Sequence, residues 1–412
     1  MNPSETPQPL QVVGTAPSRR MALAVGGGMG LAAVLAACGA AQRVPVAAAA
    51  PASGATTQPA ARPHYVRITT SGATFSPAVE LAAGSRATVS WEVEGGATVS
   101  GVKPTIRFGT AATHHVRMTV DDGGADGLDQ VITFNLGFNH LDDAGTYSMG
   151  AGHDKTAESV TLLENVSGLT GLLRFAAAHT PLTGSLDFTG CSRLQYIECI
   201  YSNVESVDVA ACPSLIRLVL ERTRLTTLNL NPVAANLRDL RGAAQQGGTL
   251  TLTPLDAPMA VLYHFCVRDQ MIVNHPTPRQ LPVVKERWDW NTNQSGVLTA
   301  ESSALRSLQT AGNHYTSADL TNQFPARRNG RLDASSNRLT TVNLTGCNGL
   351  VTIMLNDNNL NTAAVDGVLS TVASWGSSGR VLDLTLNSRP SAKGAETAAV
   401  LTRRGWTVTT TR

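Results

Sequence analysis

The chain has 412 residues, 42% of them apolar and 15% charged, with a formal net charge of +2. It holds enough apolar material for an extended folded core, and its near-neutral balance gives no electrostatic basis for nucleic-acid binding. Its six cysteines include no Cys-x-x-Cys pair, so no zinc framework is expected.

In chain order, Arg19 and Arg20 precede an uncharged, Ala- and Gly-rich run from Met21 to Ala37, which ends in Leu35-Ala36-Ala37-Cys38-Gly39. A basic stretch, an apolar stretch and small residues before a cut make a secretion signal. The run is short and glycine-rich for a membrane span. Its ending resembles the lipobox of bacterial lipoproteins. That resemblance implies removal of residues 1–37, a diacylglycerol on the sulfur of Cys38, and attachment of an extracytoplasmic protein to the membrane through acyl chains. Arg19-Arg20 with Leu23 also resembles a twin-arginine export signal, although Ala22 replaces the usual large apolar residue; twin-arginine and general export both stay open. Residues 38–63, dominated by Ala and Pro, read as a tether.

Alternation begins at Tyr65 and is clearest in Val89-Ser90-Trp91-Glu92-Val93 and Val116-Arg117-Met118-Thr119-Val120. A period of two, with turns at Gly84, Gly95-Gly96 and Asp122-Gly123-Gly124, predicts half-buried antiparallel strands and a small all-β sandwich over 64–137. Trp91-Glu92-Val93-Glu94-Gly95-Gly96, with the later His115-Val116-Arg117, resembles the polycystic-kidney-disease (PKD) module of the immunoglobulin-like class, whose domains act as spacers or adhesion modules. The usual Gly-Asp-Gly after the aromatic strand is missing here.

Over 138–412 a repeat takes over. Leu186, Phe188, Cys191, Leu194 and Ile197 return 21 residues later as Val207, Val209, Cys212, Leu215 and Leu218. The same apolar frame recurs as Leu332, Ala334, Leu339, Val342, Leu344, Cys347, Leu350 and Ile353. A fixed short period marks a solenoid, in which each coil buries its apolar edge by stacking on its neighbours. Asn337 and Asn358, with Ser202 and Thr223 at the same place, stand where a polar side chain can bond to the backbone of adjacent turns. Ile353-Met354-Leu355-Asn356-Asp357-Asn358-Asn359-Leu360 resembles the leucine-rich repeat family. Trp288-Asp289-Trp290-Asn291-Thr292-Asn293 and Leu382-Asp383-Leu384-Thr385-Leu386-Asn387 repeat the frame with changed spacing. The expected fold class is therefore an α/β solenoid of short leucine-rich repeats, mostly β with few helices, behind a small all-β sandwich. Between 241 and 331 the register breaks and an irregular insertion is expected. A helix is expected from Val365 to Trp375, and Arg403-Arg404-Gly405-Trp406-Thr407-Val408 should cap the end. The rival fold, a parallel β-helix, predicts three strands per coil.

Little in the chain points to chemistry. Cys191, Cys212 and Cys347 share one repeat position and read as small core residues. The acidic turn from Asp121 to Asp129 lacks calcium-loop spacing, and the histidines are scattered without ligand spacing. No Gly-x-Ser-x-Gly, His-Glu-x-x-His or phosphate loop occurs, so no enzyme, cofactor or metal is expected. Strand residues between the inward pairs should project from the concave sheet: Glu198, Ile200, Tyr201, Val219, Glu221, Arg222, Met354 and Asn356. Their mix of acids, an aromatic and aliphatics suits a protein or glycan partner. The expectation is a lipid-anchored binding protein of the cell envelope. A structural spacer or self-associating surface protein is the second reading, and a β-helical enzyme acting on polysaccharide is the third.

Overall fold

The computed structural model describes residues 64–137, 159–243, 248–259, 264–268, 271–281, 284–300, 302, 304–324 and 329–411. Arg19, Arg20, Cys38 and the tether lie outside the described residues.

The alternating N-terminal segments form an antiparallel sheet in the spatial order Val160–Glu164, Val66–Thr70, His114–Asp122, Thr88–Val93, Thr98–Ser100. Every second residue turns inward, which buries Val89, Trp91, Val116, Met118 and Val120. Phe75 meets Trp91 edge to face at 6.1 Å between centroids, and the indole nitrogen of Trp91 donates to the Gly101 carbonyl at 2.8 Å. Two strand pairings tie this region to the solenoid. Val160–Glu164 comes from beyond residue 137 to pair with Val66–Thr70, and Ala78–Leu81 pairs antiparallel with Val131–Asn135. One continuous apolar cluster runs from Val66 through the first solenoid coils.

Val131–Asn135 opens a 13-stranded sheet that is parallel from there to Thr407–Thr410. Each long-sheet strand alternates along the chain with an element on the opposite wall. That wall holds three short parallel sheets: Thr183–Asp187 with Asn203–Asp208; Thr227–Leu228, Thr249–Leu252 and Met271–Val273; and Ser295–Thr299, His314–Asp319 and Thr341–Asn343. The coils thus have two strands each, and the architecture is a β-rich solenoid. In the last coils helices replace the short strands: α1, Thr362–Ala373, and α2, Ala392–Arg403. Asn361 and Ser391 cap them by accepting from the backbone N–H of Ala364 and Gly394. The sequence pattern indicates α1 but not α2, whose face is Ala-rich and buries only Gly394 and Leu401.

Register follows the repeat. Leu186 opposes Val207 on the short wall, and Ile197 opposes Leu218 on the long sheet. Gly171 and Gly190 allow the closest approach between coils; a Cβ on either would sit 1.8 Å from a carbonyl oxygen of another coil, Asp129 and Ser167 respectively. One corner of the coil recurs with positive φ, at His179, Tyr201, Arg222, Asn291, Gly312, Ser336, Asp357 and Leu386.

The residue after that corner is polar and buried, and it works in two ways. Thr180, Ser202, Thr223 and Thr292 donate to the carbonyl three residues back in their own coil, those of Ala177, Cys199, Leu220 and Asp289. Downstream, an asparagine reaches into the preceding coil as well. The Asn358 amide donates to the carbonyls of Ala334 (2.9 Å) and Leu355 (3.0 Å), and its oxygen accepts from Leu339 N–H at 3.0 Å. Asn313, Asn337 and Asn387 repeat this clamp.

Two expectations need correction. The described parts of 241–331 are not an irregular insertion. Leu240, Phe265, Arg287, Leu308 and Leu332 are successive register partners, so the stack continues unbroken. Coil length changes there, and the corners absorb the difference, one of them through the 3₁₀ turn Pro278–Gln280. Secondly, Trp288-Asp289-Trp290 fits the frame one residue away from the sequence alignment. Arg287 and Asp289 point inward where other coils have Leu-x-Leu, and a one-residue shift exchanges the two faces.

The inward Arg287 and Asp289 form a polar seam between the two main apolar clusters, which end at Val284 and resume at Leu298. Arg287 donates to Asp289 Oδ2 through Nε (2.9 Å) and Nη2 (2.7 Å), to the Thr299 carbonyl, and to Tyr315 Oη at 3.1 Å. His275 Nε2 lies 3.4 Å from the same carboxylate oxygen. Burial alone would raise the Asp289 carboxyl, but the Arg287 charge and its hydrogen bonds, with the nearby His275 ring, outweigh it and hold the group below its ordinary value.

Replacing Asn358 by Ala leaves several buried backbone groups unpaired and should cost about 2–4 kcal/mol in chemical denaturation. Asp289→Asn leaves Arg287 without its counter-charge and should cost about 3–5 kcal/mol, whereas Arg287→Met with Asp289→Leu should cost less. Because the folded Asp289 pKa lies below the unfolded value of 3.8, its stabilisation is complete above that value and is lost as pH falls through the lower folded one. Unfolding followed from neutral to acid pH should show this component in the parent protein and not in Asp289→Asn.

Candidate binding face

The long sheet turns one face to the core and the other away from it, and the eight residues singled out from the sequence divide sharply on the second face. Glu198, Ile200 and Val219 do point away from the core, but they are 1%, 1% and 2% exposed. Ile200 and Val219 form a small apolar cluster of their own with Ala178. Their selection rested on exposure, and that is corrected: facing away from the core is not the same as facing water when outward apolar side chains gather on adjacent rungs. Asp239 is buried on the same face, held by Arg217 at 3.0 Å and by two bonds of 3.0 Å from Arg241.

Tyr201 and Arg222 occupy the positive-φ corner. Tyr201 is 49% exposed. His179 of the preceding coil stacks on its ring at 4.6 Å, and the Arg222 guanidinium of the following coil lies 5.0 Å from its centroid. With neighbours on both sides, the ring offers a partner its edge and hydroxyl rather than a free face. Glu221, Met354 and Asn356 are half-buried. Asn356 Oδ1 has no hydrogen-bond partner among the described residues.

The inverted frame of Arg287 and Asp289 brings two residues onto this face that sequence reasoning placed in the repeat frame. Trp288 and Trp290 project away from the core, half-buried, with Trp288 opposite Gln309 in register. Trp288 Nε1 donates to Ser307 Oγ at 3.3 Å, and Gln309 Nε2 donates to the same oxygen at 3.0 Å. Trp290 Nε1 is buried without an acceptor among the described residues. The only sequence signal for this arrangement was the alternation of two charged residues with two tryptophans. It reads the other way if charge is assumed to face water.

The repeat cysteines and the acidic turn occupy structural places. Cys191, Cys199, Cys212 and Cys347 are free and buried. Burial, with a smaller contribution from Cys212 and Asp187, pushes the Cys191 thiol up to about 12; burial does the same at Cys212 and Cys347. Asp121 accepts from Gly124 N–H at 2.6 Å and Asp126 from Leu128 N–H at 3.1 Å, so both carboxylates shape their own turn. Among the described residues no group of three or more His, Cys, Asp or Glu side chains could hold a metal ion.

Neither a protein-family model nor a curated protein matches the chain. Among solved structures, the functional domain of InlJ from Listeria monocytogenes, which includes a cysteine ladder, is similar at 15% identity and a TM-score of 0.29, over 66% of this chain and 70% of that one. No helix among the described residues is long and apolar enough to cross a membrane.

The two halves of the face should respond differently to charge. Val219→Asp buries an unpaired carboxylate and should lower stability by about 2–4 kcal/mol, while Met354→Asp should change it by less than about 1 kcal/mol. Thermal melts of the two variants decide this.

Proposed function

We propose that the chain is a leucine-rich-repeat lipoprotein of the bacterial envelope, which recognises a protein or glycan through the outward face of its long sheet and performs no covalent chemistry. The observation that carries this reading is the pair Trp288 and Trp290, large aromatic side chains held half-buried on the face of a parallel sheet turned away from the core, while the charged Arg287 and Asp289 beside them are buried. Tryptophans in such a position are typical anchors of a binding interface. The asparagine clamps and the two-strand coils support the leucine-rich reading over a three-stranded β-helix. The antiparallel N-terminal sheet with its Phe75–Trp91 core supports a PKD-like sandwich that spaces the solenoid from its anchor.

Attachment and recognition are separable. Metabolic labelling with an alkyne fatty acid should mark the parent protein and not Cys38→Ser, which should partition into the aqueous phase. Labelling retained in Cys38→Ser would remove the proposed anchor. On protein and glycan arrays, Trp288→Ala with Trp290→Ala should lose the parent's ligands while far-UV circular dichroism shows the β-rich fold retained; a parent that binds nothing would favour the envelope spacer.

A further inference from the structure

Across the N-terminal antiparallel sheet, one row of outward side chains runs acid, base, base, acid. Glu164 stands opposite Arg67, Arg67 opposite Arg117, and Arg117 opposite Glu92. Like charges directly opposite on neighbouring strands repel, and a sheet that neutralised itself would alternate their signs. Here each arginine has an acid on its far side, so the two guanidinium groups are left side by side on adjacent inner strands.

The ion pairs around them are loose. The N···O approaches are 3.6 Å from Arg67 to Glu164, 3.8 Å from Arg67 to Glu94 and 3.8 Å from Arg117 to Glu92, whereas a charge-assisted hydrogen bond closes to about 2.8 Å. Among the described residues the side chains of Arg67, Arg117, Glu92 and Glu94 make no hydrogen bond. Their donors and acceptors therefore remain available to a ligand.

A pocket of about 300 Å³ opens on this face, lined by Tyr65, Arg67, Glu92, Glu94, His115 and Arg117 among others. The Arg117 guanidinium lies 4.6 Å from the centroid of the Tyr65 ring, and His115 Nδ1 meets Thr69 Oγ1 at 3.1 Å, so two walls are held by their own neighbours. Charge is sorted across the pocket: the cations stand on the strands Val66–Thr70 and His114–Asp122, and the acids at Glu92 and Glu94 on and just after the strand Thr88–Val93. A simple anion gains from the arginines and is opposed by the glutamates, and a simple cation meets the reverse; a zwitterion gains from both.

A tetrahedral phosphate has oxygens enough to engage two planar guanidinium forks, while a carboxylate fills one. The acidic strand lies about 4.8 Å beyond Arg117, within the reach of a two-carbon arm. We propose that this pocket binds a phosphate ester bearing a primary ammonium on such an arm, the phosphoethanolamine group, with the phosphate between Arg67 and Arg117 and the ammonium at Glu92 and Glu94. The group occurs both as a soluble ester and as a phospholipid headgroup.

The full chain is titrated calorimetrically with O-phosphoethanolamine, phosphocholine, inorganic phosphate and ethanolamine at equal ionic strength. O-phosphoethanolamine should bind with a Kd on the order of 1 mM or below, and the other three at least about tenfold more weakly, each lacking one of the paired contacts. Arg67→Gln with Arg117→Gln should abolish binding. Glu92→Gln with Glu94→Gln should weaken O-phosphoethanolamine at least about tenfold and leave inorganic phosphate no weaker, because only the ammonium uses the acids. All four side chains are exposed, so circular dichroism should show the fold retained in both variants. Sedimentation with phosphatidylcholine vesicles, with and without phosphatidylethanolamine, separates the sources: retention that needs the ethanolamine lipid and is lost in the arginine variant assigns the headgroup, and binding of the soluble ester alone assigns the free form. Inorganic phosphate binding as tightly as O-phosphoethanolamine, no saturable binding up to about 10 mM, or indifference to the arginine substitutions would overturn the proposal. The site stands on the N-terminal sheet, so its failure would leave the reading of the long sheet's face as it is.

Discussion

A coil of some two dozen residues cannot bury its own Leu-x-Leu edge, and it becomes stable only when its strand hydrogen-bonds to the strands of the coils before and after it. That ladder fixes which residues oppose one another, and every other feature answers to it. Inward pairs such as Ile197 with Cys199 and Ile353 with Leu355 meet their counterparts because the rungs are in register. The glycines at 171 and 190 stand where one coil comes within carbonyl contact of another. Ala78–Leu81, from the N-terminal region, adds an antiparallel strand to the first rung, so the edge of Val131–Asn135 is covered by the chain itself.

Holding the coils together is not left to apolar contact alone. The upstream coils use hydroxyls that satisfy a carbonyl within the same turn, while the downstream coils use amides that span two turns. The change occurs next to the Arg287–Asp289 seam, where the apolar core is interrupted. An amide with two donors and an acceptor can replace some of the cohesion that a polar seam removes, and a hydroxyl confined to its own coil cannot. The seam is itself tied across coils, since His275 precedes and Tyr315 follows the strand that carries the ion pair.

Much of this was legible from residues. The spacing of Leu186, Val207 and their companions carries the stacking, Asn337 and Asn358 carry the clamp, and the run after Val365 carries a helix. What was not legible shares one cause: burial was inferred from residue type. Placing Trp288 and Trp290 in the inward frame misses by one position the pair Arg287 and Asp289 that occupies it, and across 241–331 the changed coil lengths hide the repeat's register. Glu198, Ile200 and Val219 were assigned to the correct face and the wrong environment, because alternation reports direction and not what lies above a side chain. Helix α2 lacks a strong apolar stripe, so its Ala-rich sequence carried no periodic signal, and only the Ser391 cap marks its start.

The recurring corner from His179 to Leu386 holds a left-handed backbone in coil after coil, yet of these described corners only Gly312 is a glycine. A left-handed conformation costs a non-glycine residue on the order of 1 kcal/mol, so the scaffold tolerates a histidine, a tyrosine, an arginine and even a 69% exposed leucine there at a small, local expense. These side chains leave the coil outside the rungs and meet one another rather than the core, as His179, Tyr201 and Arg222 do. The solenoid thus carries a linear row of side chains along one rim, set at a fixed interval by the backbone and spared the packing demands of the core beneath.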